Sequence, residues 1–409
     1  MNLILSLSLV LIAYYMAWRY SKTEADPDIA MFTLAGFTGA WYGRDFVDCK
    51  SPLVHLWFYA ITRITGPDMA SVKFLHHFLV GAASVGYYLI SGDYWGALAF
   101  AVLINSGWLF AFTGNVGQVP AALILLALSI TNPWIGCTLL VLAVLYEPKM
   151  LLTMAAIVIL RDWYLPALAW IVVGLALAWL LYAFKREWFD WLIEANVIIP
   201  YRMNKVRPGL YVWSPWFTSH AMLYILPWVI AAVYANNDVW YWLPAVLYMV
   251  FISLGRVIRP HHLLPFVPWI AASGISPAWV LGLVCVDFLS SGLYLGDIWT
   301  RHYRSFIDPI RECKQLGERL QHEPGSLWVN GMHTEVYTYA QKFPMFGLVE
   351  QIEINGAAVE RRRKMLAEFG KNPPDLVVET PEPNGVEFNN YGYELLITGN
   401  YTRTWRRKK

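Results

Sequence analysis

The chain has 409 residues, of which 57% are hydrophobic and 15% charged, and its formal net charge is +2. So nearly balanced a charge gives no footprint for nucleic acid, and so apolar a composition excludes an ordinary soluble core. Residues 94–146 contain no Asp, Glu, Lys or Arg, and residues 1–18, 74–92, 163–184, 208–237 and 260–286 are equally free of them. Each stretch offers at least one of the helices of ~20 apolar residues that cross a bilayer, which predicts an α-helical polytopic membrane bundle.

The first run, about residues 3–20, reads as an uncleaved anchor. It lacks a basic leading segment, and Tyr14, Tyr15, Trp18 and Tyr20 form an interfacial aromatic belt where a small-residue cleavage site would stand. A polar connection follows over 21–69, and within it Ile29–Trp41 has apolar residues at near-helical spacing without charge. That pattern predicts an amphipathic helix lying on the membrane surface or against the bundle. Between residues 41 and 57 two acids and two cations crowd a short loop, and charge that is expensive to dehydrate beside a span usually marks a site.

From about residue 70 to 295 apolar runs follow one another, broken at Gly114–Gln118, Thr131–Pro133 and Glu147–Lys149. Some pieces between the breaks are too short to cross, so the expected count is roughly nine to eleven spans. A second large loop, 185–214, opens on an amphipathic segment, Trp188–Ile199, and continues as a basic and aromatic one, Tyr201–Tyr211. Near residue 300 the charge density becomes that of a soluble protein. Helices expected at Pro309–His322 and Ala357–Phe369, with strands at Ser326–Val329 and Leu376–Val378, predict a small α/β domain. The expected organisation is therefore a membrane domain over 1–299, with loops at 21–69 and 185–214, and a soluble α/β domain over 300–409. The basic end, Thr402–Lys409, reads as a solvated tail or as a contact for anionic headgroups.

The titratable residues gather in few places. Asp26 and Asp28 stand at the start of the surface helix, where a carboxylate either caps the exposed N–H groups or serves chemistry. Asp45, Asp48 and Lys50 lie at its far end, so a fold-back would assemble several carboxylates, as general-base or metal-assisted transfer requires. Arg256, Arg259, His261 and His262 precede a late apolar run, either as a positive loop or as a phosphate or metal site. His76 and His77, inside a span, read as packed and hydrogen-bonded, and Lys149 as a helix cap or headgroup contact. The four cysteines, Cys49, Cys137, Cys285 and Cys313, have no metal or redox spacing and read as packing residues. No phosphate-binding glycine loop or nucleophile elbow is present.

In this order the residues resemble a family. Pro27-Asp28-Ile29-Ala30-Met31-Phe32, followed by Gly43-Arg44-Asp45-Phe46-Val47-Asp48-Cys49-Lys50-Ser51-Pro52-Leu53 and a new span, resembles the first external loop of GT-C fold glycosyltransferases, among them protein mannosyltransferases and lipid A aminoarabinose transferases. Glu147-Pro148-Lys149 resembles that family's Lys-Pro step, and His261-His262-Leu263-Leu264-Pro265-Phe266-Val267-Pro268 its late Leu-Leu-Pro helix. In the soluble part, Leu327–Tyr337 and Pro373–Val378 are similar to the family's strand motifs. Ile29 stands where the family often has Glu.

The resemblance implies an inverting transferase that moves a sugar from a polyprenyl-phosphate donor to a hydroxyl of a glycolipid, glycan or protein. Asp28 would be the base and Asp48 would orient the acceptor, with Asp26, Asp45 and His261 in support. Lys50, Arg202, Lys205, Arg207, Arg259 and His262 would hold the donor phosphate. A divalent metal is an optional cofactor, with Asp48, His261 and His262 as its candidate ligands. The expected place is a prokaryotic inner membrane, with the site and the soluble domain on the periplasmic face. A transporter or flippase is the alternative, and a non-catalytic scaffold the third reading.

Overall fold

The computed structural model describes the chain except residues 1, 22–26, 40–50, 110–116, 194–210, 213–214, 255–256, 259, 295–297, 332, 334, 343–366, 381–386 and 409. By its contacts the chain divides into two compact units. One comprises Met1–Thr23, Lys73–Phe189 and Arg207–Asp297, and the other Glu24–Val72, Asp190–Val206 and Ile298–Lys409.

The first unit is helical. It contains α1 (Asn2–Ser21), most of α4 (Met69–Ser91), α5 (Tyr94–Leu103), α6 (Gln118–Ser129), α7 (Pro133–Tyr146), α8 (Leu151–Leu160), α9 (Tyr164–Phe184) and the helices Pro215–Ala235, Val239–Leu254, Val267–Ala271 and Pro277–Tyr294. Helices α1, α4 and α9 are long and apolar enough to cross a membrane, and shorter apolar helices accompany them. On α9 the apolar side chains face outward, with Leu165, Leu175 and Trp179 each about two-thirds exposed. Water would penalise such a surface and lipid would not, so the protein is an integral membrane protein. Helices α5 and α8, of ten residues each, are too short to cross alone, because ten residues of helix cover only about 15 Å of a ~30 Å hydrocarbon core.

The centre of this unit is α5, in which every residue from Gly96 to Leu103 is buried. Its start is fixed by Asp93, whose carboxylate accepts from the Gly96 N–H at 2.9 Å and from the Tyr87 hydroxyl at 3.2 Å. Small residues let helices meet closely here. A methyl group on Gly96 would lie 2.1 Å from the Ala271 carbonyl, and one on Gly81 of α4 would lie 3.1 Å from the Ala13 methyl of α1.

In the second unit α2 (Pro27–Thr38) realises the expected loop helix, starting and ending slightly earlier than its hydrophobic pattern suggested. It packs on α3 (Pro52–Thr65), where Ser51 caps the first turn by accepting from Leu53 N–H at 3.2 Å. Phe32 meets His55 edge-on at 5.0 Å and Phe58 at 5.5 Å. The other side of α2 belongs to the C-terminal core: Leu34 is buried among Cys313, Leu316, Leu327, Val336, Tyr337 and Val378, and the Thr338 hydroxyl donates to the Ala30 carbonyl at 2.5 Å. The uncharged residues that suggested a helix on the membrane surface or against the bundle thus serve the C-terminal core. In the second large loop the described part of the amphipathic segment, residues 188–193, lies in α10 (Arg186–Ile193), and its remainder lies outside the described residues.

Four strands make the sheet: β3 (Leu327–Asn330), β4 (Leu376–Glu379), β5 (Tyr393–Thr398) and β6 (Arg403–Arg407), in the order β3-β4-β6-β5. A two-residue pair, β1 (Tyr211–Val212) and β2 (Val257–Ile258), lies in the helical unit. Strands β3 and β4 are parallel and β6 is antiparallel to both of its neighbours. Being covered on both faces, β3 is buried throughout. The helix Ile298–Leu320 covers one face, and Trp328, Phe369, Val377, Phe388 and Tyr393 form the core on the other. The predicted helix over Ala357–Phe369 lies outside the described residues except at its end.

The C-terminal residues are not the solvated tail predicted for Thr402–Lys409. They form β6, with Thr404 fully buried, the Trp405 indole donating to Glu379 at 2.7 Å and the Arg406 guanidinium paired with Glu323 at 2.5 Å. The reason is that β4 pairs along its second edge with β6, and the Thr and Trp positions within the strand suit a sheet.

Close packing of α2 on α3 depends on Gly36, where an added methyl group would stand 2.6 Å from the Thr62 Cβ. Replacing Gly36 with Val is expected to destabilise this unit by about 1–3 kcal/mol, read as a lowered midpoint of thermal unfolding in detergent, while Thr38→Ala at the exposed end of α2 leaves the midpoint nearly unchanged.

Candidate functional site

At the C-terminal end of α5 the backbone leaves carbonyls without helical donors, in the middle of an apolar unit. Polar side chains meet that need. The Gln118 amide donates to the Ile104 carbonyl at 2.8 Å and to the Asn105 side-chain oxygen at 2.9 Å. Its own oxygen stands 3.0 Å from His76 Nε2, and Asn105 Oδ1 stands 3.0 Å from His77 Nδ1. Asn105 also donates to the His77 carbonyl at 3.3 Å, closing the network on α4. All four side chains are fully buried.

One residue further along, the Ser106 hydroxyl donates to Asp287 at 3.2 Å, and the Tyr224 hydroxyl donates to the same carboxylate oxygen at 2.5 Å. The Gly107 N–H donates to the Tyr20 hydroxyl at 3.3 Å. The turn at 105–107 therefore joins groups from α1, α4, α6 and the helices Pro215–Ala235 and Pro277–Tyr294. Lys73, fully buried, lies one turn before His76 and His77 on the same face of α4. Ionisable groups held inside apolar helices are costly and usually functional. Such a layer can hold a polar or charged group within the apolar unit and pass hydrogen bonds to it.

The sequence identified part of this layer. His76 and His77 are packed and hydrogen-bonded as their place in a span suggested. Lys73, Asn105, Gln118 and Asp287 carried no motif, and Gln118 stood only at the edge of a break. The usable signal was a lone acid in an apolar run at Asp287 and a cation at helical spacing from two histidines.

Among the residues singled out for catalysis, Asp28 is the second residue of α2, in its first turn, and its side chain lies outside the description. Asp26, Asp45, Asp48, Lys50, Arg202, Lys205, Arg207 and Arg259 lie outside the described residues. His261 and His262 are in the 3₁₀ helix Pro260–Phe266, with the His262 side chain buried. That helix packs on α6 and on residues 107–109, beside the turn that carries Ser106. Lys149 pairs with Glu147 at 3.6 Å and is about half exposed, a geometry that contributes little to stability.

Replacing Gln118 with Leu strips partners from His76, Asn105 and the Ile104 carbonyl at once. A loss of about 1–3 kcal/mol is expected, read by thermal unfolding of the detergent-purified protein, and Gln118→Glu, which sets a buried carboxylate oxygen against the Ile104 carbonyl and the Asn105 oxygen in place of a donor, is expected to lose at least as much.

No protein-family model and no curated protein matches the chain. Among solved structures, the crystal structure of ArnT from Cupriavidus metallidurans bound to undecaprenyl phosphate is similar with a TM-score of 0.55, covering 98% of this chain and 97% of that one at 14% sequence identity. The likeness runs through the helical unit and the C-terminal sheet alike, and the chain has the GT-C fold that its loop motifs suggested.

Proposed function

We propose that the protein is a glycosyltransferase that takes a sugar from a polyprenyl-phosphate carrier and delivers it to a hydroxyl acceptor, a glycolipid, glycan or protein. The observation that carries this reading is a fold shared end to end with an enzyme crystallised with undecaprenyl phosphate, in a chain whose first loop keeps an acid, a helix and a Lys-Ser-Pro-Leu step in the order of such transferases. Fold alone does not specify function, so the assignment also rests on those residues.

In the proposed reaction the Asp28 carboxylate accepts the proton of the acceptor hydroxyl as its oxygen attacks the anomeric carbon. The bond from that carbon to the phosphate oxygen breaks on the opposite face, and polyprenyl phosphate leaves with the electron pair, so the configuration inverts. A carboxylate suits the task because it is ionised near neutral pH. Asp48 orients the acceptor, and Asp26 and Asp45 support the two acids. Lys50, Arg202, Lys205, Arg207, Arg259 and His262 meet the phosphate, whose charge grows toward the transition state, so fixed cations favour that state over the ground state. A divalent ion held by Asp48, His261 and His262 would add to that charge stabilisation. The domains are 1–299 for the membrane part and 300–409 for the soluble part, in the inner membrane of a prokaryote with site and soluble domain on the periplasmic face.

One observation favours a second reading. Lys73, His76, His77 and Asp287 are buried inside an apolar helical unit, the kind of placement by which a carrier offers a path for a polar substrate. A flippase would move the sugar lipid between leaflets and form no glycosidic bond.

Comparing product masses from cells with and without the gene identifies sugar and acceptor together. With that donor radiolabelled in reconstituted vesicles, Asp28→Asn is expected to lower transfer by about 10²–10⁴-fold. Undiminished transfer would remove Asp28 as the base, and labelled lipid that changes leaflet without a new product would establish the flippase.

A further inference from the structure

Away from the apolar helices, at the C-terminal end of the parallel pair β3 and β4, the soluble sheet holds three ligand-type side chains that the proposed transfer does not use. Cys313 comes from the helix Ile298–Leu320, and His333 and Glu335 from the turn after β3. One ligand atom from each lies within 4.8 Å of the other two, and all three residues are buried. His333 Nδ1 stands 2.8 Å from Glu335 Oε1. The second carboxylate oxygen, Glu335 Oε2, is buried with no hydrogen-bond partner among the described residues.

We propose that Cys313, His333 and Glu335 bind one divalent ion of the zinc class. Thiolate, imidazole and carboxylate together are the donor set of a borderline-soft metal, and the thiolate selects against magnesium and calcium. Three protein ligands leave a fourth tetrahedral position for water or an exogenous group. A structural pair of His333 and Glu335 accounts for Oε1 and leaves Oε2 buried without compensation, which costs more than an ordinary hydrogen bond returns. An ion accounts for both residues and for the cysteine beside them. Bonds of about 2.0–2.1 Å at tetrahedral angles put neighbouring N and O ligands about 3.3 Å apart, so His333 and Glu335 need separate by only a few tenths of an ångström.

The surrounding backbone is built to present these groups. Gly331 has φ +143°, and a methyl group there would lie 2.0 Å from the Thr380 hydroxyl oxygen. The same hydroxyl accepts from the His333 N–H at 3.1 Å, tying the turn to the end of β4. In parallel α/β sheets, ligands bind at this end of the strands. Burial first, and then the Glu335 and Glu312 carboxylates, hold the Cys313 thiol well above the usual range. A bound cation reverses that balance and makes the thiolate the stable form.

The test uses the full chain, purified in detergent without a polyhistidine tag, stripped with chelator and titrated with Co²⁺. A thiolate-to-cobalt charge-transfer band and the visible bands of a tetrahedral site are expected, the charge-transfer band saturating with one equivalent bound at the cysteine site. Cys313→Ser is expected to abolish the charge-transfer band, and Glu335→Gln, which keeps size and shape, to weaken affinity by roughly tenfold or more. Should Cys313→Ser fail to fold, Glu335→Gln decides. Absence of the band in the wild-type protein, or a band that persists unchanged in Cys313→Ser, overturns the proposal. So does Co²⁺ affinity unaltered by Glu335→Gln.

Discussion

A polar group inside the apolar helices has no water to fall back on, and most of the arrangement in the helical unit follows from that constraint. Helix α5 is buried along its length, so the carbonyls at its end must be met by side chains. Gln118 meets that of Ile104, and in doing so it draws His76, His77 and Asn105 into one network. Asp287 is partnered by the same logic, taking hydrogen bonds from Ser106 and Tyr224. Polarity concentrated this way creates one place in the unit where a charged ligand would be compensated.

The second unit works by different physics. Its sheet is partly parallel and covered on both faces, so its core is made in the ordinary way, by Leu327, Val329, Leu376 and Val378 on one side and aromatic rings on the other. Into that core the chain inserts part of its first loop, through Leu34 and the bond from Thr338 to the Ala30 carbonyl. The residue proposed as catalytic base, Asp28, therefore sits on a helix whose other residues are held by the core of the C-terminal sheet. Loop placement by a rigid scaffold is a common solution, and it gives the C-terminal sheet a role in holding the first loop. The cluster of Cys313, His333 and Glu335 stands in the same core, where a metal would stiffen the turn next to the element that holds α2.

Much of the fold was legible from residue pattern. Long uncharged runs announced α1, α4 and α9, and short apolar runs announced β3 and β4 within a residue of their observed limits. The C-terminal strand was missed because Arg403, Arg406 and Arg407 dominate a local reading of charge, while the pairing that makes the segment a strand comes from β4 and β5. Among site residues, the acids and cations of the loops were visible as charge in an apolar chain, but most of them lie outside the described residues. Lys73, Asn105, Gln118 and Asp287 are far apart in sequence and each has an innocent local reading.

By itself the amino-acid sequence determined the solvent each segment prefers. Hydropathy and charge are local sums, and they separate apolar helices from a C-terminal segment of ordinary charge density and mark the loops where charge gathers. What only the tertiary structure decided is which polar groups share a dehydrated space: His77 with Asn105 and Gln118, Asp287 with Ser106 and Tyr224, and Cys313 with His333 and Glu335. The reason is that a buried polar atom is stabilised by its spatial neighbours, and pairing over tens to hundreds of residues leaves no periodicity in the chain for a local pattern to detect.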